Sequence, residues 1–254
     1  MTQPRVLNLR PDRPDRRDIR FAAMAPSAIH ALPSVTSLRS LMPQVYDQGK
    51  TSSCTGHAIA GLLHFQEIKE GRTVELIPSR LFIYYNERLI EGTTDEDSGA
   101  MIRDGFKALV TYGYCFEDTW AFVPWMLKIR PSAKAYMTAT RHKVQRYMRV
   151  EQTLASLKQR LADGHPIVTG IILHERFESK EVAKTGRGAL PVAGEKVVGG
   201  HAVLIVGYND QNQTFELRNS WGAHWGDGGY FTLPYAYVLN PKLAQDFWTV
   251  TFVP

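Results

Sequence analysis

An α+β fold in two lobes is predicted for this chain, with a helical N-terminal lobe, a C-terminal lobe that is a twisted β-sheet or barrel-like, and a cleft between them. Three observations predict it. Helical periodicity dominates to about residue 139, β-rich runs dominate from about residue 140, and 254 residues with 44% apolar content can fill both cores. The body therefore runs over 41–254, divided near 140, and residues 1–40 form an arm ahead of it.

The arm holds many of the prolines and little periodicity, which predicts an extended segment with at most one short helix. Val6, Leu7, Leu9, Ile19 and Phe21 give it apolar anchors, so it is expected to lie on the body as an ordered strap. Its arginines are interleaved with Asp12, Asp15 and Asp18, a mixture expected to be solvated and paired locally.

Beyond "DQGKTSSC", the spacing of Ala58, Ile59, Leu62 and Leu63 predicts a helix over 53–70, capped by Ser52 or Ser53 and stopped at Gly71. "PSRLFIYYNERLIEG" and "SGAMIRDGFKALVTYG" predict two more, ending at Gly92 and Gly113. "HKVQRYMRV" reads as a strand, "EQTLASLKQRLADG" as a helix and "HPIVTGIIL" as a strand. Residues 179–200 read as a long Gly- and Lys-rich loop leading into His201. "HAVLIVGY", "TFELRNSW", "GGYFTL" and "DFWTVTFV" complete the β-rich half.

Composition narrows the function classes. The net charge of +5 comes with no aromatic-plus-basic recognition motif, so no nucleic-acid partner is expected. No apolar run approaches membrane-spanning length, and the prolines and charges of the first twenty residues interrupt any secretory signal. A soluble protein, cytoplasmic by default and monomeric by default, is the expectation; export by a route that reads no N-terminal signal leaves no mark in such a sequence. Two cysteines without a C-x-x-C pair suggest no structural zinc, and "HERFE" lacks the second histidine of a zinc-protease helix. No metal and no cofactor are expected.

The thiols are then free for chemistry. Cys54 opens a helix, where unpaired N–H groups and the positive end of the dipole favour a thiolate. His201, after two glycines at a strand start, can serve as its base, and Asn219, at the end of the next strand, can orient the ring. Each has a bland reading: a buried structural thiol, a core histidine, a strand terminator. His57, three residues after Cys54, is expected at the cleft edge or in packing. Cys115, beside Tyr114 and Phe116, reads as a small buried hydrophobe, with redox pairing to Cys54 as the alternative.

Taken together, "DQGKTSSC", "GGHAVLIVGY" and "LRNSWGAHWGDGGY" resemble the papain-like cysteine peptidases over about residues 33–254. His201 and Asn219 follow Cys54 by 147 and 165 residues, close to the family order and spacing. "MPQVYDQG", "PSRLFIYYNER" and "AQDFW" look more like the prokaryotic, xylellain-like branch. The resemblance implies a papain-like two-lobed fold and a thioester route at Cys54, with His201 as acid and base and Asn219 orienting it. It also implies an oxyanion hole formed by Gln48 and the N–H of Cys54. Trp221 would shield the His–Asn pair, Trp225 would flank the leaving-group side, and Ser98, Gly99 and Gly200 would meet the substrate. Gly200 and "PYAYVLNP" would shape the main side-chain pocket, and the arm would occupy the place of a propeptide, covering the cleft.

The chain departs from the family's C-G-[SA]-C-[WY] at Thr51, Ser52, Ser53 and Thr55, losing the first cysteine and the aromatic beside the nucleophile. The function expected is cysteine-type endopeptidase action on peptides or proteins, since no segment is dedicated to binding a chain terminus. Acyl transfer on the same thioester and a catalytically silent peptide-binding relative are the alternatives.

Overall fold

The computed structural model describes residues 5–21, 32–72 and 76–251. A helix that is apolar on every side must be packed on every side, and the one beginning at Cys54 is buried along nearly its whole length. This helix, α1 (Cys54–Lys69), packs against α2 (Arg80–Glu91), α3 (Ile102–Thr111) and the sheet. Gly56 permits the approach of α2, because a Cβ there would stand 2.8 Å from Arg80 O. Ser79 Oγ caps α2 by accepting from Phe82 N, and Gly92 ends it at φ +72°. These three helices lie where periodicity predicts them. α4 (Ala133–Ala139) escaped prediction because it buries only Ala135 and Ala139, too few positions for a periodic signal.

The strands are β1 (Val35–Ser37), β2 (Arg146–Arg149), β3 (Ile167–His174), β4 (Val197–Asn209), β5 (Thr214–Arg218), β6 (Tyr230–Pro234) and β7 (Ala244–Thr251). They pair antiparallel in the order β2-β7-β3-β4-β5-β6, with β1 added to β4. The sheet is open, so of the two expected forms the β-rich lobe takes the twisted sheet and not a closed barrel. β4 is long enough to serve three partners: His201 faces Ile171 of β3, while its far half meets β5 and β1. β1 falls inside the segment assigned to the arm, so residues 35–37 are sheet rather than arm. The predicted loop at 179–200 also holds α6 (Lys180–Thr185), which Ser179 caps from Val182 N. α5 (Leu154–Ala162) and α7 (Tyr235–Val238) complete the order. Among the described residues no helix is long and apolar enough to cross a membrane.

Arg218, at the end of β5, ties the halves together. Its guanidinium donates to Pro43 O (2.5 Å) and Gln44 O (2.6 Å) and lies over the Tyr46 ring, so the stretch leading to Gln48 is fastened to the sheet.

Arm residues 5–21 run across the seam. Asn8 bridges Gly200, Arg10 bridges Met101 and Arg20 bridges Arg149, all in parallel sense. The interleaved charges are not all solvated, contrary to the sequence expectation: Asp15 pairs locally with Arg17, but Asp12 is buried. Asp12 accepts from Trp248 Nε1 (2.6 Å), Arg103 N (3.0 Å) and Arg149 (3.3 Å), and its own N–H donates to Asp246. Asp18 pairs with Arg103 and Arg149, and Arg10 with Glu91. Residues 22–31 of the arm lie outside the described residues.

Candidate active site

Cys54 stands at the first position of α1, and α1 lies against β4, which carries His201. The N–H of Ala202, the residue after His201, acts on the Cys54 thiol in the direction that favours the thiolate. His201 Nε2 bonds Asn219 Oδ1 at 2.8 Å, and Trp221 stacks on the imidazole at 4.9 Å between centroids. The ring's remaining nitrogen, Nδ1, is buried without a hydrogen-bond partner. Three segments far apart in sequence therefore meet at one point.

The small polar run before Cys54 fills the space of the missing cysteine with a chain of hydroxyls. Thr51 Oγ1 donates to Gln48 O (2.8 Å) and lies 2.6 Å from Ser53 Oγ, which in turn contacts His57 Nδ1 (3.1 Å). Ser53 precedes α1 but makes no side-chain cap, because its hydroxyl is engaged there. Thr55 Oγ1 donates to Glu87 Oε2 at 2.5 Å, and burial pushes the Glu87 carboxyl up to about 8. His57 is a packing residue rather than a cleft-edge one: Phe122 meets its ring edge-on at 4.6 Å, and burial holds its pKa down to about 3.

Gln48 is held by a residue that sequence reasoning missed. Ser220 Oγ donates to Gln48 Oε1 at 2.6 Å, and Ser220 N donates to Asn219 Oδ1 at 2.8 Å. One serine thus orients both amides, and Gln48 Nε2 points to Thr51 O. Its signal lay in plain view between Asn219 and Trp221, but a serine beside a strand end carries no periodicity.

The arm closes this site. A Cβ at Gly99, whose φ is +70°, would overlap Asn8 O, and one at Gly200 would stand 2.9 Å from Leu9 O. Leu9 N donates to Gly200 O, Asn8 Nδ2 donates to Ser52 Oγ, and Arg10 N donates to Ala100 O. The Leu9 side chain sits over Gly170, beside Ile102 and Gln245. Within "PYAYVLNP", residues Tyr235–Val238 form α7, and Tyr237 OH donates to Ile172 O. Ser98 turns its hydroxyl to Thr93, so Gly99 is the member of the pair that meets the arm. Trp225 packs edge-on to Trp221 at 4.9 Å and against Phe177 and Phe231, in an aromatic wall.

Burial opposes the ionisation that a helix start favours at Cys54. Cys54, Gln48 and His201 are wholly enclosed, which pushes the Cys54 thiol up to about 12 and the His201 imidazole down to about 4. Burial thus disfavours the charged form of both groups. Cys115 lies in a separate cluster with Phe82, Ala135 and Ala139, so the alternative of redox pairing with Cys54 finds no contact.

The sequence matches the papain family cysteine protease profile over residues 33–238. This chain belongs to the papain family of cysteine proteases. Its papain-like fold is that of xylellain, a cysteine protease from Xylella fastidiosa, with a TM-score of 0.89 and 40% identity over 98% of this chain and 96% of that one. It is 44% identical over 212 residues to an uncharacterized peptidase C1-like protein of Acanthamoeba polyphaga mimivirus, covering 80% of this chain and 68% of the viral protein. It is 28% identical over 220 residues to the viral cathepsin of Adoxophyes honmai nucleopolyhedrovirus, covering 81% of this chain but only 58% of that one. The papain-like assignment makes the chain a cysteine-type peptidase, a hydrolase.

Proposed function

We propose that this chain cleaves internal peptide bonds through a thioester on Cys54, and that the His201–Asn219 bond of 2.8 Å beneath Trp221 is the observation that carries the reading. In the open enzyme the proton moves from Cys54 sulfur to His201. The thiolate adds to the substrate carbonyl carbon, and the charge that develops on oxygen is met by the Cys54 N–H and the Gln48 amide. As the C–N bond breaks, His201 gives its proton to the departing amine, leaving the thioester. Water then attacks, losing a proton to His201; the C–S bond breaks to re-form the thiolate, and the carboxylic acid leaves and gives its proton to solvent. Asn219 keeps the imidazole facing sulfur throughout, and Trp221 keeps water from that bond.

A mixed peptide library, incubated under reducing conditions with the parent chain and with a chain whose arm is displaced, tests this reading. Cuts at internal bonds that vanish in Cys54→Ala are expected. Trimming from chain ends alone would replace the endopeptidase assignment, and no cutting by either chain would favour a silent relative. Gln48→Ala is expected to lower kcat about 10²–10³-fold with KM little changed, because its amide acts on charge present only in the transition state.

The arm supports a resting role. It occupies the Gly99–Gly200 cleft, and the cation of Arg5 adds to burial in lowering the proton affinity of His201. Its anchor responds to pH. Burial and the nearby Asp246 carboxylate raise Asp12 to about 7 from 3.8. The docked arm therefore holds this proton more tightly than the free arm, so docking is strongest below pH 4 and weakens as pH rises through about 7. Limited proteolysis of the arm is expected to speed up across that window in the parent chain, with Asp12→Asn flattening the response.

A further inference from the structure

The arm carries a basic side chain into a part of the cleft that the proposed reaction leaves unassigned. Arg5 donates to Gly49 O at 3.2 Å, approaches Asp47 Oδ1 at 3.4 Å, and lies 5.7 Å from the centre of the Trp221 ring. A charged acceptor, a carbonyl and an indole face are what a guanidinium or ammonium group requires.

The receiving groups are held in place without Arg5. Gly49 N donates to Asp47 Oδ1 at 2.9 Å, and Asp47 bridges Trp221 through the backbone. Gly222, with φ +79°, lies under the carboxylate, and its N–H donates to Tyr46 O. Asp47 and Gly49 flank Gln48, while Trp221 lies on His201. The position along the cleft follows from the arm. Residues 8–10 lie on the side of Gly99, Met101 and Gly200, and Arg5 extends to the opposite side, beside the imidazole. If His201 protonates the departing amine, that side receives the amine half of the substrate.

We infer that Asp47, the Gly49 carbonyl and the Trp221 face form a subsite for a basic side chain in the leaving-amine half of the substrate, and that Arg5 fills it while the arm is docked. This rests on the thioester reading above and adds a substrate class to it: peptides with Arg or Lys just beyond the cleaved bond. Both partners reach solvent, Asp47 with 55% and Arg5 with 29% of the side chain exposed, so the preference is moderate and salt-sensitive.

Internally quenched peptides identical except for Arg, Lys, Ala or Glu at the first two positions after the cleaved bond provide the test, using a chain with the arm displaced. kcat/KM is expected to be about tenfold higher for Arg than for Ala, and lower still for Glu, with the gap narrowing in high salt. Asp47→Asn should bring the Arg-to-Ala ratio close to one, and Asp47→Glu should restore much of it. Cleavage of all four peptides at equal rates, or a ratio unmoved by Asp47→Asn, overturns the subsite. Failure to cleave any peptide counts against the thioester reading instead. The subsite is then judged by iodoacetamide labelling of Cys54 in the full chain. Arg5→Ala and Asp47→Asn should each speed labelling several-fold and Arg5→Lys should not; equal rates in all three variants and the parent reject it.

Discussion

Replacing His201 with alanine is expected to lower kcat/KM on a cleaved peptide by about 10⁴-fold, with most of the loss in kcat. The ring is asked to take the thiol proton, to deliver it to the amine and to deprotonate water, all in steps beyond substrate binding. The variant should remain folded, because Asn219 Oδ1 keeps its bond from Ser220 N and Gln48 keeps its bond from Ser220 Oγ. The void beneath Trp221 costs some stability. Steady-state kinetics and a thermal melt on the same preparation check both statements. A loss of less than tenfold in a folded protein would remove His201 from the reaction.

Displacing the arm is expected to raise the rate of iodoacetamide alkylation at Cys54 many-fold at neutral pH. Burial holds the thiol up at about 12, and the thiolate is the form that alkylates. Leu9→Asp is the cleaner variant. It puts a carboxylate against Gly170, Ile102 and the Gln245 carbonyl, where no donor answers it, while Asp12 and Asp18 keep their partners. A chain starting near residue 33 removes those acids as well and leaves Arg103 and Arg149 without them. If Leu9→Asp labels no faster than the parent and melts at the same temperature, the arm does not govern access to the sulfur.

What could be read from the chain alone follows the range of each signal. α1, α2 and α3 were legible because apolar residues recur at helical spacing and a glycine follows each of them. The strands around His201 were legible because β-branched runs lie between turn residues. Cys54, His201, Asn219 and Gln48 stood out by order and spacing, and the structure brings all four to one place. Ser220, Asp12 and Asp47 did not stand out, because each works through a partner distant in sequence, and no local pattern encodes such a pairing. The opposition to a thiolate at Cys54 was illegible for a similar reason: the helix start is local, whereas the burial that raises the thiol comes from packing with segments distant in sequence. The choice between a sheet and a barrel stayed open because strand patterns do not say whether the two edges of a sheet meet.

The fastening of Pro43 and Gln44 to Arg218 has a mechanical consequence. A guanidinium spanning the two halves just ahead of the oxyanion segment resists any hinge there, so the groove behaves as a fixed mould with a removable lid rather than as a pair of jaws. The free energy that peptides release on binding is then left for aligning the scissile bond, since none is spent on reshaping the walls.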